Sequence, residues 1–179
     1  DEIQCGMGRT GRLFAYEWSG AAPDIMALAK GLAGGFPIGA CLASEKAAQG
    51  MTRGTHGSTF GGNPLAMAVA NAVLDVMLAE GFLEQVERVG AVLRRRLEDM
   101  VRAYPKLLVE VRGKGLMLGV ECVVPNAEII GRLRESGLLT AQAGGNVVRF
   151  LPALIIDESH VDEAMAILDK VCATWEAAA

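Results

Sequence analysis

From Phe82 onward apolar residues recur every three or four positions, at Val86, Val89, Leu93, Leu97, Met100 and Tyr104, with Glu84, Glu87, Arg88, Arg94, Arg95, Glu98 and Arg102 between them. That period predicts an amphipathic helix with one face in a core. The basic run 94–96 then falls on its solvated side. Residues 65–79 are apolar on nearly every face, which predicts a buried helix, with Pro64 in the first turn where its missing N–H costs nothing.

Beyond Pro105 the pattern shortens. Residues 107–111 and 116–122 read as strands around a turn at 112–115, and residues 138–142 and 147–151 as two more around the glycine turn 143–146. Asn126 is placed to cap a short helix that stops at Gly137, and Asp157 to cap a last one with Val161, Met165, Leu168 and Trp175 on one side. Residues 76–179 therefore predict an α+β domain, a sheet with helices on one face. Residues 1–63, rich in glycine and short apolar runs, predict loops and short elements.

Half of the 179 residues are hydrophobic, enough for a real core, and the 22 glycines follow no fixed period. A formal charge of −4 supplies no basic field for a phosphate backbone, so no nucleic acid is expected as a partner. Cys5, Cys41, Cys122 and Cys172 form no CxxC pair and join no histidine cluster, which predicts no metal site and a reduced, cytoplasmic protein. No run approaches the ~20 apolar residues of a membrane span. The acidic start Asp1-Glu2 is unlike a signal peptide. Without an initiator methionine, and starting in mid-element, the chain reads as a piece of something longer.

Four places could carry chemistry. Lys30 lies in the apolar run Ile25-Met26-Ala27-Leu28-Ala29 before Gly34-Gly35, which predicts burial. Desolvation would free its amine to attack a carbonyl and form a Schiff base, whereas a lysine with no such task would reach for water along its stem. Asp1 is either an ordinary capping carboxylate or a partner for a protonated ring nitrogen, the pairing that turns a pyridine into an electron sink. The segment Gly57-Ser58-Thr59-Phe60-Gly61-Gly62-Asn63-Pro64 puts hydroxyls and turning glycines before a helix, which suits either a phosphate or a plain surface loop. Arg149, a charge in the apolar strand candidate, fits a structural ion pair or a two-point clamp on a carboxylate. His56 has no partner in the sequence and reads as a turn residue.

Gly6-Met7-Gly8-Arg9-Thr10-Gly11 also satisfies the dinucleotide pattern G-x-G-x-x-G. No helix period follows it, because residues 13–18 read as extended or irregular, and Gly31 stands where the ribose-binding acid would be expected. It is better read as a loop closing over a site.

In order and spacing, several segments resemble the class III aminotransferases, fold type I subgroup II. They are Asp1-Glu2-Ile3-Gln4, Gly8-Arg9-Thr10-Gly11, Pro23-Asp24-Ile25, Ala29-Lys30-Gly31-Leu32-Ala33-Gly34-Gly35-Phe36-Pro37-Ile38-Gly39-Ala40 and His56-Gly57-Ser58-Thr59-Phe60-Gly61-Gly62-Asn63-Pro64-Leu65. Arg112-Gly113-Lys114-Gly115-Leu116-Met117-Leu118-Gly119 and Asn146-Val147-Val148-Arg149-Phe150-Leu151-Pro152 are similar to the acetylornithine branch of that family. The resemblance implies an α/β fold class: the C-terminal part of a fold type I pyridoxal-phosphate transferase, with residues 1–75 closing the large cofactor domain and residues 76–179 forming the small α+β domain.

It further implies that Lys30 is catalytic and holds pyridoxal 5'-phosphate, that Asp1 meets the pyridine nitrogen and Gln4 the phenolic oxygen, and that Ser58 and Thr59 serve the phosphate. Thr59 would reach the phosphate of a partner subunit, hence a homodimer with shared sites. Arg149 would hold the α-carboxylate of small-molecule amino and keto acids. Ala153 stands where members often carry a second proline. The family's phosphate cup, ring-stacking aromatic and second substrate arginine would lie ahead of Asp1, so the chain alone is expected to be inactive.

Overall fold

The computed structural model describes residues 1–178. Contacts divide the chain into two compact units, Asp1–Glu84 and Gln85–Ala179, each described by itself below.

The first unit opens with turns and a 3-10 turn at Ala15–Trp18. Strand β1 (Ile25–Leu28) and strand β2 (Ala40–Ala43) then form an antiparallel ribbon, from Ile25 opposite Ala43 to Leu28 opposite Ala40. Met26 and Leu28 are buried and Ile25 is exposed, the two-residue alternation of a one-sided strand. A second 3-10 turn, Lys30–Ala33, follows β1 directly. Helix α1 (Glu45–Ala48) starts at Ser44, whose side chain accepts from the Ala47 amide. Helix α2 (Pro64–Met77) is capped by Asn63, whose side-chain oxygen accepts from the Ala66 amide at 2.9 Å, and Pro64 sits in its first turn as the sequence predicts.

α2 is not the buried helix expected from its composition. Ala66, Ala70 and Met77 are buried, but Leu65 is 61% and Val76 54% exposed. The helix packs on the Lys30–Ala33 turn, where Gly34 leaves room for Val73. Leu65 and Val76 lie outside its buried positions.

In the second unit, helix α3 (Phe82–Ala103), which begins just ahead of the division, buries Val86, Val89, Leu93, Leu97 and Met100 of the predicted stripe together with Gly90, while Phe82 and Tyr104 are half-buried. A Cβ at Gly90 would lie 2.6 Å from the carbonyl carbon of Gly115, so the helix rides directly on a backbone turn. Arg88 pairs with Glu158 and Arg96 with Asp162 at the surface. Strands β3 (Leu108–Lys114), β4 (Met117–Cys122), β5 (Ala141–Ala143) and β6 (Val147–Phe150) make one antiparallel sheet in the order β3-β4-β6-β5. Leu118, Val120, Cys122, Val148 and Phe150 share its buried face, and core residues of α3, α4 (Asn126–Glu135) and α5 (Glu158–Ala178) fill the rest of the core.

Three local expectations are corrected. The turn foreseen at 112–115 is strand down to Lys114, which pairs with Met117, so only Gly115 and Leu116 connect the two strands. Asn126 does not cap α4. Pro125 holds the cap position, and the Asn126 side-chain amide instead donates to the carbonyls of Ala143 and Val147, tying the helix start to the β5–β6 hairpin. The strand foreseen over 138–142 shrinks to β5, because the Leu138 amide still closes the end of α4 by donating to the Leu133 carbonyl at 2.9 Å. Asp157 does cap α5, its Oδ1 accepting from the amides of Ser159 and His160 at 3.0 and 3.4 Å. The Ser159 and His160 contacts hold the Asp157 carboxyl well below the usual range. Among the described residues no single helix is long and apolar enough to cross a membrane.

Candidate active site

The first unit carries five of the six predicted site residues. Lys30 opens the 3-10 turn after β1 with φ +47°, a left-handed backbone uncommon for a residue with a side chain. It is exposed, so the burial expected from its apolar neighbours is corrected: those neighbours are β1, and the chain reverses into the turn before the lysine can follow them inward. Gly31 behind it faces Met7, itself at φ +55° and buried, with 3.3 Å from an added Cβ to the Met7 Cβ. The turn that presents Lys30 therefore leans on the glycine loop.

That loop is folded inward. Gly6, Met7, Gly8, Thr10 and Gly11 are buried, Thr10 accepts from the Trp18 indole at 3.2 Å, and Arg12 stacks on the same indole. A 3-10 turn follows it, with no α-helix whose N-terminus could receive a diphosphate, so the dinucleotide pattern is a coincidence of turn glycines. It is packed into the unit and is no free flap over it. Burial pulls the Arg9 guanidinium below its ordinary pKa, and burial together with the Glu2 contact pushes the Cys5 thiol up.

Asp1 is exposed, and its Oδ1 accepts from the Ile3 amide at 2.8 Å. Gln4 is half-buried in the same turn. Next to Asp1, the Glu2 amide donates to the carbonyl of Ala27 in β1 at 3.0 Å, three residues before Lys30. That bond links the backbone beside Asp1 to the strand that leads into Lys30. Ser58 and Thr59 lie exposed in the loop ahead of α2, the helix that packs on the Lys30 turn, and Gly61 lets the Ser58 side chain fold close.

Arg149 lies in the second unit, half-buried on β6. Its row across the sheet reads Arg112, Gly119, Arg149, Ala141, opposite to the face that holds Leu118 and Phe150. Gly119 and Ala141, both small, are its partners on the neighbouring strands. Arg112 at the end of the row is engaged by Glu110 and Glu121. The residue that sequence reading passed over is Glu2, whose carboxylate is buried and gathers three donors. Its only signal was a second acid beside Asp1.

Residues 1–172 match the family profile described as Aminotransferase class-III. The chain belongs to the class III aminotransferases. It is 56% identical over 165 residues to the acetylornithine aminotransferase of Mesorhizobium japonicum, a match covering 92% of this chain and 41% of that protein. Its fold superposes on the acetylornithine aminotransferase of Elizabethkingia anophelis with a TM-score of 0.89 at 37% identity, over 97% of this chain and 44% of that one. For the ornithine aminotransferase of Toxoplasma gondii ME49 the TM-score is 0.92 at 37% identity, over 100% and 44%. The chain thus spans less than half the length of the relatives it matches.

Class III aminotransferases are pyridoxal-phosphate enzymes. The donor set here fits that group: an exposed amine on a fixed backbone for an aldehyde, a carboxylate for a ring nitrogen, and two exposed hydroxyls for a phosphate. Among the described residues no cluster of histidine, cysteine and carboxylate could hold a metal ion.

Proposed function

We propose that this chain carries the cofactor lysine and part of the substrate site of a cytoplasmic aminotransferase that moves the terminal amino group of N-acetylornithine to 2-oxoglutarate, a step of arginine biosynthesis. The observation that carries the proposal is Lys30, exposed at a left-handed backbone position at the end of β1, within a chain 56% identical to an acetylornithine aminotransferase. Residues 1–75 are then the end of a large cofactor-binding domain and residues 76–179 the small domain.

Pyridoxal phosphate, when bound, supplies a protonated pyridine ring that accepts the charge developing on the substrate carbon. Every other task falls to side chains. Lys30 Nζ would hold the cofactor through its aldehyde, and its free amine would serve as the general base for the proton on the substrate's amino-bearing carbon. Asp1 keeps a proton on the ring nitrogen by charge, Gln4 orients the phenolic oxygen, and Ser58 holds phosphate. Thr59 does so across a subunit boundary, in a homodimer with shared sites. The Arg149 fork binds the α-carboxylate of glutamate or 2-oxoglutarate at two points.

Subunits of full family length carrying this sequence should form glutamate from 2-oxoglutarate faster with N-acetylornithine than with ornithine, succinyldiaminopimelate or 4-aminobutyrate. A preference for any of those three moves the substrate assignment, and no turnover with any donor overturns the proposal.

A further inference from the structure

Among the described residues, Glu2 is the buried carboxylate, at 6% exposure, and the reaction outlined above gives it no task. Its Oε1 accepts from the Tyr16 amide at 2.8 Å, and its Oε2 accepts from the Ala15 amide at 2.9 Å and from the Cys5 thiol at 3.2 Å. Its own amide donates to the Ala27 carbonyl at 3.0 Å, and its carbonyl accepts from the Gly6 amide at 2.9 Å. A Cβ at Gly6 would lie 2.7 Å from that carbonyl oxygen, so the turn closes directly on Glu2. One residue therefore joins the opening turn, the 3-10 turn at Ala15–Trp18 and strand β1.

We infer that Glu2 is a positioning residue for the cofactor: it fixes Asp1, its neighbour in the chain, relative to Lys30, three residues beyond Ala27. The inference rests on the functional reading above. Asp1 is exposed, and its bonds are local: its carboxylate accepts from the Ile3 amide at 2.8 Å and its carbonyl from the Cys5 thiol at 3.4 Å. Its place in the unit is set by what holds the adjacent backbone. A carboxylate that keeps a ring nitrogen protonated must be held at hydrogen-bond distance and angle, and a loosened one loses most of its effect. Three donors converge on the two Glu2 oxygens. A glutamine would present one oxygen and an NH2, leaving a peptide N–H of Ala15 or Tyr16 facing another donor.

The test uses subunits of full family length. In Glu2→Gln, amide hydrogen exchange at Ala15 and Tyr16 should quicken in the cofactor-free protein. The dissociation constant for pyridoxal phosphate, titrated by absorbance, should rise about tenfold, and the ring nitrogen of 15N-labelled cofactor should lose its proton at lower pH. Glu17→Gln is the control: exposed Glu17 accepts from the Phe14 amide on the same 3-10 turn, yet is not joined to Asp1, so affinity and ring-nitrogen titration should stay at wild-type values.

Should Glu2→Gln fail to fold, Ala15→Pro removes one donor and keeps the carboxylate. Ala15 opens the turn after an extended Phe14, a position that admits proline. It should shift both cofactor readouts in the same direction by less. Faster exchange with unchanged affinity and unchanged ring-nitrogen titration, in whichever variant folds, would make Glu2 a structural latch and overturn the inference alone. Wild-type protein that does not bind the cofactor overturns the functional reading together with it.

Discussion

Lys30 and Arg149 are presented by different backbone devices. Lys30 depends on a left-handed residue at a strand end, braced by Gly31 against Met7, whereas Arg149 stands in a regular strand between the small residues Gly119 and Ala141. Arg149→Lys should lower kcat/KM for 2-oxoglutarate about ten- to a hundredfold while leaving the cofactor dissociation constant nearly unchanged, because lysine keeps the charge and loses the planar fork. Steady-state kinetics beside a cofactor titration would check it, and equal losses in both would give Arg149 a role at the cofactor instead. The chemistry proposed for these residues comes from motif order. Their surroundings were not legible there: the apolar run before Lys30 suggested burial, but hydrophobic content cannot show where a strand ends and the chain turns out. Glu2 was hidden for the opposite reason, since a carboxylate gives no local sign that backbone amides thirteen and fourteen residues away will cover it.

At the scale of elements, legibility followed the strength of the period. α3 was readable almost residue by residue, because six buried positions in 22 residues leave one solution for the buried face. β5 was not, since the helix end that Gly137 signals also borrows the Leu138 amide for its closing bond to Leu133, and the strand pattern by itself does not show that loss. The Asn126 cap failed similarly: asparagine favours a cap, but here its amide found the hairpin carbonyls first. The close approach of α3 to the β3–β4 turn yields a sharp expectation. Gly90→Ala sets a methyl against the Gly115 carbonyl, a backbone group that cannot rotate away, and should destabilise this unit by about 1–3 kcal/mol. Urea unfolding followed by circular dichroism measures it, and an unchanged midpoint would mean that the β3–β4 turn yields freely.

For the molecule as a whole, the informative surface is α2. Leu65 and Val76 lie eleven positions apart, about three helical turns, so they project on the same side, and Phe60 just ahead of the helix is also exposed. Apolar side chains grouped this way favour association. The 179-residue chain by itself should sediment as a mixture of oligomers, and Leu65→Gln with Val76→Gln should shift it toward monomer. A monomeric wild-type chain would contradict this. Composition foresaw an apolar helix here but could not say which side would be covered, because α2 offers nearly the same hydrophobic surface all round.

The central claim is that Lys30 holds pyridoxal phosphate, and peptide mapping after borohydride reduction of the cofactor-loaded enzyme tests it most directly. Reduction makes the bond between lysine and cofactor permanent, so the labelled residue is read without reference to activity. The account predicts a pyridoxyl group on the peptide containing Lys30 and none in a Lys30→Ala variant. A label on Lys46 or Lys114, or on Lys30→Ala to the same extent as on wild type, would contradict it.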